Sequence, residues 1–293
     1  MRVLHLDSGT EMRGGQWQVL SLLKGLGAGN VLLTPADGPL MAEAKTAGIQ
    51  AAGLSMLSLG AMARDFDLVH AHDARSHTWA AALAPTVPLV VSRRVGFSVG
   101  QTFLSRWKYG RASRYLAVSE HVKRKLVEAE IPADKISVVY DGVDVPEALS
   151  TGQRIIAPAT LDPMKGSDLA REGARLAGVE LHFSNDLPAD LSSAALLVYI
   201  TKSEGLGSAA LLAMAHGVPV VASRVGGLPE IVSDCENGIL TDNEPSAIAA
   251  AIRRALILQE RLRTNARRCI EEQFSAKNMI EKTIEEYGRV VRC

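Results

Sequence analysis

Residues 195–221 read ALLVYITKSEGLGSAALLAMAHGVPVV. The first seven are apolar on both alternating positions, the composition of a strand covered on both faces of a sheet. A turn follows with one acid, Glu204, and two glycines, Gly205 and Gly207. The stretch SAALLAMAH then reads as an apolar helix, brought to a stop by Gly217 with Pro219 beyond it. Another apolar run, PVVASR, begins at Pro219. Strand, glycine turn, helix and strand in succession make a βαβ unit, and a βαβ unit implies a parallel sheet.

The same alternation extends along the chain. RVLHLD, NVLLTP, FDLVHAH, PLVVSRR, RYLAVS and KISVVYDG are separated by helix-length stretches, as are RIIAPAT, VELHFSN, ALLVYIT and PVVASR. The fold class is therefore α/β, two doubly wound sheets. A chain of 293 residues suits two cores better than one. Turn formers in VDVPEALSTGQ, residues 143–153, divide the strands into two series, so the expected domains are 1–148 and 149–293. The charged, amphipathic segment 255–289 reads as helices that clamp the second domain or cross back to the first.

An apolar fraction of 47 % with 22 % charged residues excludes a disordered chain. No apolar run reaches the roughly 18 residues of a spanning helix, and the first strand begins at once, so the expectation is a protein neither secreted nor integral. Cys235, Cys269 and Cys293 lie far apart without metal-ligand spacing, which fits a reducing, cytoplasmic compartment. Formal net charge is zero, yet residues 93–125 hold nine Lys or Arg against the single acid Glu120, with Phe97, Phe103, Trp107 and Tyr109 among them. Such a stretch is either solvated surface or a face for an anionic membrane; nucleic acid ranks below both.

Three turns of the second half follow strands and so share the carboxyl edge of one sheet, where doubly wound folds bind ligands. Lys165 in LDPMKG is a mobile cation suited to phosphate oxygens. Glu204 can accept hydrogen bonds from sugar hydroxyls, and the N–H groups of Gly205, Leu206, Gly207 and Ser208 open a helix toward an anion. Gly227 and Leu228 open a third turn, in GGLPEI. In the first half, Gly14 and Gly15 sit between a strand and a helix, the right place for close backbone approach to a ligand. His70 and His72 alternate in one strand and face the same side; His72 and Asp73 stand at its end, and Arg93 and Arg94 at the end of the next. Asp65-Phe66-Asp67 has the spacing of a metal-binding pair, but it leads straight into a strand, and no metal site is expected.

Taken in order, GGxxQVL, DLVHAH, AVSEHVKRKL, KISVVYDGVD, LDPMKG, SEGLGSAALLAMAHGVPVVAS and GGLPEIVSDCENGIL resemble family 4 glycosyltransferases of the GT-B fold, especially bacterial lipopolysaccharide-type members. The resemblance implies two Rossmann-like domains facing a cleft, a UDP-, GDP- or ADP-sugar donor on the second domain and a saccharide or lipid-linked acceptor on the first. It also implies transfer with retention and no cofactor or metal. Gly15 would approach the reacting centre, Lys165 would neutralise the departing diphosphate and Glu204 would contact the donor sugar, while Gly14, His72, Asp73, Arg93 and Arg94 would lie on the acceptor side. The cell-envelope acceptor places such an enzyme in the cytoplasm, peripheral at the inner face of the membrane.

Two positions depart from the family pattern. A second acid expected eight residues after Glu204 is Leu212, and an Arg expected five residues before Lys165 is Thr160. Each missing charged hydrogen bond costs about 1.5–3 kcal/mol, together roughly two to four powers of ten in donor affinity. The link from VELHFSN to ALLVYIT is also shorter than in such relatives. A transferase homologue that has become a binding or regulatory module is the alternative; a sugar-nucleotide epimerase of the same architecture follows the loop motifs less well.

Overall fold

A computed structural model of the chain describes residues 1–100 and 102–292, so Cys293 lies outside the described residues. The chain divides into two compact units, residues 1–141 with 276–293 and residues 142–275. The boundary falls earlier than 148 because the intervening chain is bonded into the second unit. Val143 N–H donates to Phe274 O (3.0 Å) and Ser150 N–H to His216 O (2.9 Å), and Ser150 Oγ donates to Ala194 O (2.6 Å).

The first unit contains strands β1 (Val3–Leu6), β2 (Val31–Thr34), β3 (Ala51–Gly53), β4 (Leu68–Ala71), β5 (Leu89–Arg93), β6 (Arg114–Ala117) and β7 (Ile136–Val138). They form one seven-stranded sheet in the order β3-β2-β1-β4-β5-β6-β7, parallel throughout. Helices α1 (Gly14–Leu26), α2 (Pro39–Thr46), α3 (Met56–Met62), α4 (Ala74–Leu83), α5 (Phe103–Gly110) and α6 (Glu120–Glu128) are the crossovers. On one face, Val3, Leu68, Val90 and Leu116 pack with Leu22 of α1 and with Met279 and Tyr287 near the C-terminus.

The second unit has β8 (Arg154–Pro158), β9 (His182–Ser184), β10 (Ala194–Tyr199), β11 (Val220–Ser223) and β12 (Ile239–Thr241). Their order is β12-β11-β10-β8-β9, again all parallel. Helices α7 (Ser167–Ala177), α8 (Leu187–Leu191), α9 (Ser208–Ala215), α10 (Leu228–Ile231), α11 (Pro245–Ile257) and α12 (Gln259–Gln273) connect and follow them. The short link to β10 consists of five-residue α8, started by Asp186 Oδ1 accepting from Ala189 N–H. β10 is buried along its whole length, as its unbroken apolar run requires. The last helix, α13 (Ala276–Val291), belongs to the first unit, whereas α12 belongs to the second.

Two edge strands escaped the sequence pattern. β3 is Ala-Ala-Gly and β12 is Ile-Leu-Thr, three residues each; pairing with β2 and β11 defines them, not side-chain preference. No helix among the described residues is long and apolar enough to cross a membrane.

Candidate functional site

In the second unit, the loops leaving β8, β10, β11 and β12 meet at the carboxyl edge and are tied side chain to backbone. Thr201 Oγ1 donates to Met164 O at 3.2 Å, and Lys202 N–H donates to the same oxygen at 2.8 Å. Ser223 Oγ accepts from Thr201 N–H and donates to Asn243 Oδ1, whose Nδ2 returns to Thr201 O. Gly226, with φ of +59°, lies so close to the Glu204 turn that an added Cβ would come within 1.9 Å of Glu204 O. Only glycine serves there, for both conformation and space.

These ties bring Lys165 and Glu204 together. Lys165 Nζ donates to Glu204 Oε2 at 2.8 Å, with 33 % and 16 % of the two side chains exposed. Tyr199 OH donates to the same oxygen at 2.5 Å, and Gly205 N–H reaches Oε1 at 3.1 Å. Burial, then the adjoining Glu204 carboxylate, pushes the Tyr199 hydroxyl well above its ordinary range, so it stays protonated as a donor. Beside this group is a cavity of about 140 Å³ lined by Thr160, Lys165, Ser167, Phe183, Tyr199 and Ala209, among others.

The expected backbone donors are distributed differently from the sequence expectation. Gly227 N–H donates to Glu204 O, and Leu228 N–H to Val225 O. Gly227 and Leu228 therefore lock the turns together instead of offering N–H groups to an anion, and Gly205 N–H is engaged by Glu204 itself. Leu206 and Gly207 are buried, with Ser208 partly so, and no side chain caps the start of α9. Leu212 is half-buried on α9, and Thr160 Oγ1 accepts from Asp162 N–H in its own turn.

At the carboxyl edge of the first unit, Gly14 and Gly15 open α1. A Cβ on Gly15 would meet nothing closer than Arg94 Cδ, at 3.9 Å, so the Arg94 side chain passes beside the start of α1. Arg94 Nε donates to Asp141 Oδ1 at 3.0 Å, with 16 % and 11 % of the side chains exposed. Arg93 turns elsewhere, to Tyr109 OH and Phe97 O.

His72 and Asp73, expected on the acceptor side, are both engaged within the unit. His72 is 5 % exposed, and its Nε2 lies 3.0 Å from His5 Nδ1. His70 is held by Tyr287 OH on α13 and by Ser92 Oγ. The three imidazoles stand within 4.8 Å of one another by their nearest nitrogens. Burial drives all three well below the usual histidine range, His5 to about 3, so they remain neutral. Asp73 caps α4, accepting from Ser8, Arg75 and Ser76. Burial raises its pKa, but these donors outweigh it and hold it low. The spacing Asp73-x-x-Ser76 signals this cap in the sequence. Asp67 Oδ2 accepts from Arg2 N–H at the amino edge, remote from Gly15 along the strands.

Sequence reasoning missed Asp7, whose carboxylate accepts from Gln16 Nε2 and Gly9 N–H and so shapes the glycine turn. It also missed Tyr199, which reads as one more strand residue.

Residues 22–147 match Glycosyltransferase Family 4, and residues 158–257 match Glycosyl transferases group 1. The alpha-maltose-1-phosphate synthase of Mycolicibacterium smegmatis is 37 % identical over 111 residues, 34 % of this chain and 28 % of that protein. The D-inositol 3-phosphate glycosyltransferase of Segniliparus rotundus is 36 % identical over 114 residues, 35 % of this chain and 25 % of that protein. The chain thus spans about a quarter of the length of these curated relatives. Among solved structures, Anabaena HepE in complex with UDP superimposes with a TM-score of 0.88 at 18 % identity, over 99 % of this chain and 100 % of that one. The lipopolysaccharide outer core galactosyltransferase WaaB, in its apo form, gives 0.71 at 15 % identity, over 98 % and 100 %. The fold is GT-B, two Rossmann-like α/β domains, and the matches support a GT-B glycosyltransferase.

Proposed function

We propose that the protein transfers a sugar from a nucleotide-diphosphate donor to a saccharide or lipid acceptor of the cell envelope, with retention at the anomeric carbon and without a metal. The carrying observation is the contact of Lys165 with Glu204 on two neighbouring loops of one sheet edge, beside a cavity. As donor and acceptor react, the sugar gains oxocarbenium character while the diphosphate departs as an anion; a positioned ammonium lowers that barrier. Lys165 supplies this charge, and Glu204 receives hydroxyls of the donor sugar. UDP in structural neighbours supports a nucleotide-sugar donor, and UDP-, GDP- and ADP-sugars are the candidates. Gly15 and Arg94 mark the acceptor side.

The exposed apolar side chains of α5 and of the loop before it favour a peripheral membrane location. Phe97, Phe103, Leu104 and Trp107 are 63, 82, 73 and 43 % exposed, and α5 buries no residue. Its basic setting is weaker than the nine cations of 93–125 suggest. Arg94, Arg106, Arg114, Lys123 and Lys125 each pair with a carboxylate.

The second reading, a binding or regulatory module, is favoured by Thr160, Leu212 and the internally engaged N–H groups of Gly205, Gly227 and Leu228. One experiment separates the two. Purified protein is offered UDP-, GDP- and ADP-sugars with saccharide acceptors, and release of nucleoside diphosphate is followed. Release by one donor is expected, with Lys165→Ala lowering it 10²–10³-fold. Failure of every donor to bind at millimolar concentration assigns the chain to the binding module.

A further inference from the structure

Tyr199 closes β10, a strand otherwise built from Ala, Leu and Val. The residue is 7 % exposed, yet it lines the cavity, and its hydroxyl shares one oxygen, Glu204 Oε2, with Lys165. Lys165 Nζ also stands 5.8 Å from the centre of the Tyr199 ring. Lysine and tyrosine therefore serve the same carboxylate oxygen, but only lysine carries a charge that an incoming diphosphate attracts.

Resting on the transferase reading above, we propose that Tyr199 is the positioning residue of the donor site, holding the Glu204 carboxylate in place while Lys165 turns its charge to the diphosphate. In the ligand-free chain, Lys165 and Glu204 neutralise each other. A diphosphate draws the ammonium away and leaves a carboxylate with only 16 % of its side chain exposed. A partly buried carboxylate without donors is costly. Tyr199 OH remains on Oε2 and Gly205 N–H on Oε1, so both oxygens keep a donor after the lysine has moved. The hydroxyl lowers the cost of binding and presents Glu204 to the sugar in one orientation.

The test uses Tyr199→Phe, which keeps the buried ring, together with Glu204→Gln and the double variant, in titrations with UDP, GDP and ADP by calorimetry. Tyr199→Phe is expected to weaken the diphosphate that wild type binds by about tenfold at pH 8, the value of one charge-assisted hydrogen bond. In the Glu204→Gln background, the tyrosine substitution should add nothing, since no anion remains to be held. Wild-type affinity in Tyr199→Phe overturns the proposal, and so does a tenfold loss that persists in the Glu204→Gln background, which would make Tyr199 a packing or ligand contact. Absence of binding by wild type to all three diphosphates overturns the donor reading itself, and this proposal with it.

Discussion

At the carboxyl edge of the five-stranded sheet, Lys165 and Glu204 meet at 2.8 Å with 33 % and 16 % of their side chains exposed. At the corresponding edge of the seven-stranded sheet, Arg94 and Asp141 meet at 3.0 Å with 16 % and 11 % exposed. The first pair bridges two loops beside a cavity, and a third group, Tyr199, shares its acceptor oxygen. The second pair ties the ends of two strands, β5 and β7, and sits deeper. A ligand can divide a pair whose members are partly hydrated and whose acid has a substitute donor. Dividing the deeper pair would strand a charge with little water to receive it. Charge alone therefore does not mark a residue that trades its partner for a ligand; what remains on each partner after separation does.

The largest expected effect contrasts two glycines. Gly226→Ala forces a Cβ to within 1.9 Å of Glu204 O at a left-handed φ, so the interlocked turns must part. A loss of about 3 kcal/mol and loss of diphosphate binding should follow, measured by denaturant titration and calorimetry. Gly15→Ala meets no atom closer than 3.9 Å and adds a good helix former near the start of α1. Stability should hold or rise by up to about 1 kcal/mol, while transfer falls and diphosphate binding stays unchanged. Equal destabilisation by both would erase the distinction between a packed edge and an open one.

The ion pairs come next. Asp141→Ala leaves Arg94 without its carboxylate and should cost about 2–3 kcal/mol. Lys165→Ala should cost less than about 1 kcal/mol of stability, since Tyr199 and Gly205 still serve Glu204, although it removes activity. Chemical denaturation of both variants checks this; the reverse order would make Lys165–Glu204 the structural pair. The Asp73 cap ranks third, with Asp73→Ala costing about 1 kcal/mol or somewhat more in the same assay.

Much of the unit 2 edge was legible because its chemistry lies in backbone punctuation. SEGLG and VGG announce turns where sheets bind ligands, and the apolar runs beside them announce the strands. That the turns interlock was not legible, since Gly226 meeting Glu204 O depends on the spacing of β10 and β11. For that reason the N–H groups of Gly227 and Leu228 read as ligand donors when they are internal ones. Tyr199 was invisible for a related cause: strands favour tyrosine, so a functional hydroxyl at a strand end has no sequence signature. In the first unit the internal partners were the hidden part. His72 and Asp73 are polar residues at a strand end, the right place for a site, but one is covered by His5 and the other is consumed by the cap.

The smallest expected effect is in the pH dependence of stability, and it sets two neighbouring carboxylates of the first unit against each other. Burial raises the pKa of Asp7 above the usual 3.8, against the opposing bonds from Gly9 and Gln16. Asp73 is buried too, but the donors of Ser8 and Ser76 carry it below that value. Asp73 thus contributes stability above about pH 4 that is lost as pH falls through its lowered folded-state pKa. Asp7 contributes stability below about pH 4 that is lost as pH rises through its raised one. Asp73→Asn should accordingly be less stable than wild type at pH 7, with the deficit closing on acidification toward pH 3. Asp7→Asn should be more stable at pH 7, with the advantage closing over the same descent. Melting temperatures measured from pH 3 to pH 7 check both slopes. Slopes of the same sign would mean that the bonds from Ser8 and Ser76 do not outweigh burial at Asp73, and that this edge treats its two acids alike.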